Sequence, residues 1–145
     1  FDPNKIFNLF DSDSEGEGSI EEIKIKSKEL EDSPKSKIGM FTKLILNHHI
    51  FHSKLEEFLK EEEPTYNIES TKISSEFIIY NRAWFYLNQV DSSKKEHILA
   101  ILDFNPKLLD KVLEDALIYF QDGEEYLRCA HIFNIQQVLR EVENN

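Results

Sequence analysis

"LEDALIYFQDGEEYLRCAHIFNIQQVL", residues 113 to 139, contains the turn on which the fold depends. Leu108, Leu109, Val112, Leu113, Ala116, Leu117 and Phe120 lead into it at three- and four-residue spacing, the period of one helical face. Asp122-Gly123 breaks the pattern, and glycine there offers the left-handed backbone that ends helices. Beyond it Tyr126, Cys129, Ala130, Phe133 and Ile135 resume a helical rhythm, which predicts a last helix from about Glu124 to Val142. A connection this short leaves the second helix little choice but to fold back on the first, so the segment predicts an antiparallel helical hairpin.

The same reading extends upstream. Asn105-Pro106 has the chemistry of an N-cap and first helical residue, an acceptor side chain followed by a ring already set at helical φ. Ser93-x-x-Glu96 matches a capping box and precedes Ile98, Leu99, Ile101 and Leu102, a helix that "FNP" stops. Residues 72 to 90, "KISSEFIIYNRAWFYLNQV", are rich in strand formers, yet Phe77, Tyr80, Trp84 and Leu87 keep helical spacing, and helix is the better reading. From Lys37, a stripe of Ile38, Phe41, Ile45, His48, His52, Leu55 and Leu59 predicts a long helix that ends by Pro64. Leu44, Phe51 and Phe58 broaden that stripe, while Leu46 and Ile50 lie toward the other side, so cover on more than one face is expected.

Residues 1 to 36 differ in kind: acids, serines, Gly16 and Gly18, and a brief apolar cluster at Ile6, Phe7, Leu9 and Phe10. Ordering a residue costs on the order of 1 to 2 kcal/mol, and few side chains here offset it by burial. The segment reads as an acidic flexible arm, with one short helix from a Ser19-x-x-Glu22 capping box to about Leu30. The expected fold is therefore all-α: a bundle of four or five helices over residues 37 to 145 with a C-terminal antiparallel hairpin.

Length and charge bound the function. A chain of 145 residues fits one core and a tail better than two cores. Seventeen Lys and Arg against 28 Asp and Glu give a formal net charge of -11, a field that repels phosphate backbones and acidic lipids, so neither nucleic acid nor membrane is expected as a direct partner. No apolar run reaches the roughly 20 residues a membrane helix needs. A single cysteine, with no leader-like apolar region at the start, points to a reducing, cytoplasmic setting, and the missing initiator Met to a trimmed chain.

Three groups of residues could carry chemistry. His48, His52 and Glu56 follow one another at i, i+4 on one helical face, a spacing that can hold zinc; the same histidines lie in the apolar stripe, where a hydrogen-bonded polar layer is the other reading. Asp11, Asp13, Glu15 and Glu22, around Gly16, fall at ligand positions of a calcium-binding loop, although Gly18 stands where a bulky aliphatic belongs; a solvated acidic linker is the alternative. Cys129 sits among Tyr126, Ala130 and Phe133, with His131 and Arg128 diverging from it on the helix, the setting of a small hydrophobe rather than a nucleophile. Ser33-Pro34 is a proline-directed phosphorylation context. There is no phosphate-binding glycine loop and no nucleophile elbow, so no enzymatic activity and no cofactor are expected.

Residues 113 to 139 also resemble the UVR motif, a helical hairpin found in nucleotide-excision-repair subunits and in some protease-associated adaptors. The shared frame is Leu113-Glu114, Gln121, Glu125-Tyr126, Ala130 and Ile132, over about a fifth of the chain. Cys129 occupies the small position before Ala130, Phe133-Asn134 replaces an Arg-Asp pair, and Gln136 stands at a later aliphatic position. The resemblance implies protein docking, often with another copy of the motif. The expected function is thus a non-enzymatic adaptor or regulatory subunit within a larger protein assembly, with Trp84, Phe85, Tyr126 and Phe133 as contact anchors. The alternatives are an acidic inhibitor that mimics nucleic acid and a metal-binding helical protein.

Overall fold

The computed structural model describes residues 20 to 143, and these form six α-helices with no strand among them. They are α1 (Ile20–Asp32), α2 (Pro34–Glu62), α3 (Ile68–Leu87), α4 (Lys95–Asp103), α5 (Pro106–Asp122) and α6 (Tyr126–Glu143). The protein is all-α, as the periodicities require. Helix α1 belongs to one compact unit, ending at Asp32, and α2 to α6 belong to a second that starts at Ser33. In α1, Glu21 and Glu22 sit in the first turn, where carboxylates face the positive end of the helix dipole, and Ile20, Ile23 and Ile25 are exposed.

Helix α2 starts at Pro34, three residues before the apolar stripe. Ser33 is its N-cap, accepting the Ser36 amide on Oγ at 3.1 Å, and Pro34 supplies the first turn. The serine read as a phosphorylation context is therefore structurally a cap. Helices α2 and α3 run side by side as an antiparallel pair, α5 and α6 form a second, and α4 packs against α2 and α6. The shared core holds Ile38, Phe41 and Ile45 of α2, Ala83 and Leu87 of α3, Ile101 of α4, and Leu109, Val112, Leu113, Ala116 and Phe120 of α5. Helix α6 closes it with Ile132, Ile135 and Leu139.

Four local expectations change. Ser93 does not cap α4; the cap is Lys94, which makes no side-chain bond, because the Ser93 amide and hydroxyl both donate to Asp91 Oδ1, at 2.9 and 2.6 Å. Gly123 keeps an ordinary φ of -85°, and the left-handed residue is Glu124, at φ 58°. Glu124 N–H donates to the Gln121 carbonyl and Glu125 N–H to Phe120, the two bonds of a Schellman turn, so α6 begins only at Tyr126. The buried seam of α6 keeps Ile135 and, in part, Cys129 of the expected rhythm but not its other members. Tyr126, Ala130 and Phe133 face outward, while Ile132, Ile135 and Leu139 are buried together with Gln136, whose Nε2 donates to Glu114 Oε2 at 2.9 Å. Finally, Phe51 and Phe58 are exposed, so the broad face expected for α2 is uncovered in its second half among the described residues.

Candidate functional site

Helices α3 and α5 meet through tyrosines. Glu76 and Tyr80 lie one turn apart on α3, while Asp115, Ile118, Tyr119 and Asp122 share one flank of α5 beside its buried face. The Tyr80 and Tyr119 rings stack with centroids 4.4 Å apart and planes 11° from parallel. Phe120 meets Tyr80 edge-on. Around the stack, Glu76, Tyr80, Asp115, Ile118, Tyr119 and Asp122 line a cavity of about 250 Å³. A second space of about 420 Å³ adjoins it through Glu76, Tyr119 and Asp122, and reaches Phe77, Asn81, Gly123 and Glu125 at the turn. Together they make one acidic, aromatic-walled cleft.

The electrostatics are uneven. Asp115 Oδ2 lies 3.2 Å from His49 Nε2 on α2, and Glu125 Oε2 lies 3.4 Å from Arg128 Nε. Glu76 and Asp122 have no ion pair among the described residues. Tyr80 is only 5% exposed, and its hydroxyl has no hydrogen-bond partner among the described residues. Burial, then Asp115 and Glu76, push its ionisation far above the usual tyrosine range, so it stays a neutral phenol. Tyr119 is shifted the same way, by burial first and then by Glu76 and Glu125.

Arg128 lines neither space but holds Asn81, Phe120 and Glu125, which line the second. Its guanidinium lies 5.2 Å from the Trp84 ring centre and 5.1 Å from that of Phe120, and Nη1 donates to Asn81 Oδ1 at 2.8 Å. His131 meets Trp84 edge-on and donates from Nε2 to the Leu87 carbonyl at 2.9 Å, closing the end of α3. Trp84, expected to be an external anchor, is thus half-buried and engaged by Phe120, His131 and Arg128. Phe85, Tyr126 and Phe133 are exposed at 63%, 65% and 48%.

The histidine stripe is placed differently from a metal centre. His48 and His52 are buried with rings 4.6 Å apart, but Glu56 is exposed and lies nearest Lys60, at 3.9 Å. Among the described residues no group of three His, Cys, Asp or Glu side chains gathers to hold a metal ion. Burial, then His52, His49 and Lys72, hold the His48 imidazole below its ordinary range. His52 Nε2 is buried with no partner among the described residues. His48 also borders an apolar groove of about 360 Å³ between α2 and α3, with Leu44, Phe51, Ile78 and Ile79. Asp11, Asp13 and Glu15 of the calcium-loop pattern lie outside the described residues, and Glu22 is in the first turn of α1. Cys129 is half-buried, its Sγ 3.8 Å from the Leu117 carbonyl, and burial followed by Glu125 pushes its thiol up.

Sequence reasoning missed Glu76, Asp115, Tyr119 and Asp122. The available signal was the i, i+4, i+7 run Asp115, Tyr119, Asp122 at the border of the α5 apolar face, which alone does not reveal that α3 brings Glu76 and Tyr80 against it. The chain matches no family model, no curated protein and no solved structure. Among the described residues no helix is long and apolar enough to cross a membrane.

Proposed function

We propose that the chain is a non-enzymatic docking module, an adaptor or regulatory subunit that binds another protein across α3 and the α5–α6 hairpin. The observation that carries this reading is large apolar side chains left outside a complete core: Phe77, Ile78 and Phe85 on α3, and Tyr126, Leu127 and Phe133 on α6. Leu127 alone is 90% exposed. Exposed aromatics at this density are a feature of contact surfaces, where burial against a partner supplies binding energy that the isolated domain forgoes. The resemblance to a docking hairpin supports the same reading, since Tyr126 belongs to its frame and is exposed.

The test is competitive. Wild-type protein and the variant Phe85→Ser/Tyr126→Ser/Phe133→Ser are used to capture partners from the native source at matched concentration. The expected outcome is a partner retained by the wild type and lost by the variant, with melting temperature unchanged because none of the three residues is in the core. Identical captures from both proteins sink the reading.

The net charge of -11 favours a second reading, an acidic mimic of nucleic acid that occupies a basic protein. Salt separates the two: the mimic loses its partner steeply between 50 and 500 mM salt, on the order of a hundredfold or more, whereas apolar docking changes little.

A further inference from the structure

We propose that the cavity between α3 and α5 receives the cationic head of an arginine or lysine side chain from the docked partner. The proposal rests on the docking reading and names the chemistry of what docks.

Three independent features converge on a cation. The first is Tyr80: its side chain is more than nine-tenths buried, lines the cavity, and leaves a hydroxyl without a hydrogen-bond partner among the described residues. That hydroxyl is not itself a buried atom; left without a protein partner among the described residues, on a side chain that lines the cavity, it can accept from an N–H donor that arrives from outside. The second is charge. Glu76 and Asp122 flank the same space with no ion pair among the described residues, while Asp115 is shared with His49 and Glu125 with Arg128. The third is shape, since Phe77 and Tyr119 line the adjoining space with aromatic rings beside the carboxylates, surroundings that suit a guanidinium or an ammonium.

Other occupants fit less well. A divalent metal needs oxygens converging on one point, and no such group of three exists among the described residues. A phosphate or carboxylate ligand meets like charge on both sides. Arg128 on α6 shows the same chemistry within the chain, a guanidinium held between aromatic faces with a carboxylate on its edge.

The experiment is an amide-resonance NMR titration of the full chain at low salt with Nα-acetyl-arginine amide and Nα-acetyl-lysine amide. Nα-acetyl-glutamine amide serves as the uncharged control and magnesium chloride as the metal arm. Saturable shifts confined to residues 76–81 and 115–125, absent with the glutamine amide, are expected for at least one cationic probe. Glu76→Gln/Asp122→Asn weakens binding about tenfold, equivalent to removing one charge-assisted contact. Tyr80→Phe weakens it about threefold while leaving the melting temperature equal or higher, because only an unpartnered hydroxyl is removed. Shifts that spread over the acidic surface without saturation, that persist in Glu76→Gln/Asp122→Asn, or that magnesium alone reproduces overturn the proposal, as does the absence of any shift. If the titration fails while the Phe85/Tyr126/Phe133 variant still loses its partner, the cleft assignment falls and the docking reading stands; if that variant also keeps its partner, both fall.

Discussion

His48 shows how one residue can be legible and misread together. Its place in the apolar stripe of α2 is plain from the spacing, and it is buried as that stripe requires. A pattern along one helix cannot say what stands opposite, and here that is Tyr80 at 6.4 Å and the positive charge of Lys72, not further metal ligands. The pH consequence has a definite sign. Because the folded imidazole binds its proton less readily than the unfolded one, its ordinary value being 6.5, the unfolded state takes up more protons as pH falls. The associated stability is fully present above the ordinary histidine value and is lost as pH drops through and below it. Urea denaturation at pH 7.5, 6.0 and 5.0 is expected to give falling midpoints for the wild type and a shallower fall for His48→Gln. Equal slopes for the two proteins contradict this account.

At the scale of elements, the turn between α5 and α6 joins a correct inference to a displaced one. The hairpin follows from two apolar patterns separated by too few residues for anything else, and α5 and α6 do pack as neighbours. Glycine adopts the left-handed position without strain, which favours Gly123, yet the Schellman bonding register places it one residue later, at Glu124. A Cβ at Gly123 meets nothing nearer than the Phe120 carbonyl at 3.7 Å, an ordinary contact. Gly123→Ala is therefore expected to be neutral or to stabilise by about 0.5 kcal/mol, through the unfolded chain. Glu124→Gly is expected to stabilise by about 1 kcal/mol, by relieving a left-handed side chain. Chemical denaturation reads both, and a destabilising Glu124→Gly contradicts the assigned register. Similar competition explains the other caps. Asn105 accepts from Leu108 as its sequence suggests, whereas Ser93 is claimed by Asp91, a choice among hydrogen bonds that the capping pattern does not encode.

On the scale of the whole α2 to α6 unit, two helical hairpins are joined through aromatic contacts, and Arg128 is the polar centre of that junction. It touches Trp84 and Asn81 of α3, Phe120 of α5 and Glu125 at the turn. Arg128→Ala is expected to lower stability by about 1 to 2 kcal/mol, from lost cation–π contact and stem packing together. Arg128→Lys recovers less than half of this, because an ammonium cannot reach Asn81 and Glu125 in one plane. Full recovery by lysine rules out the planar arrangement as the source. The fold class was readable because each helix advertises its own period. The cleft was not, because Glu76 and Asp122 are 46 positions apart and become neighbours only when α3 meets α5. Gln136 makes the same point from the core side: a polar residue in the seam looks misplaced until Glu114 comes across to meet it.

The chain contains one tryptophan, and that indole lies against Phe120, His131 and Arg128 where three helices join. Its fluorescence is consequently an intrinsic optical gauge of that junction: solvent reaching the ring as the hairpins part moves the emission to longer wavelength, while loosening confined to the far end of α2 leaves the spectrum dark to the event.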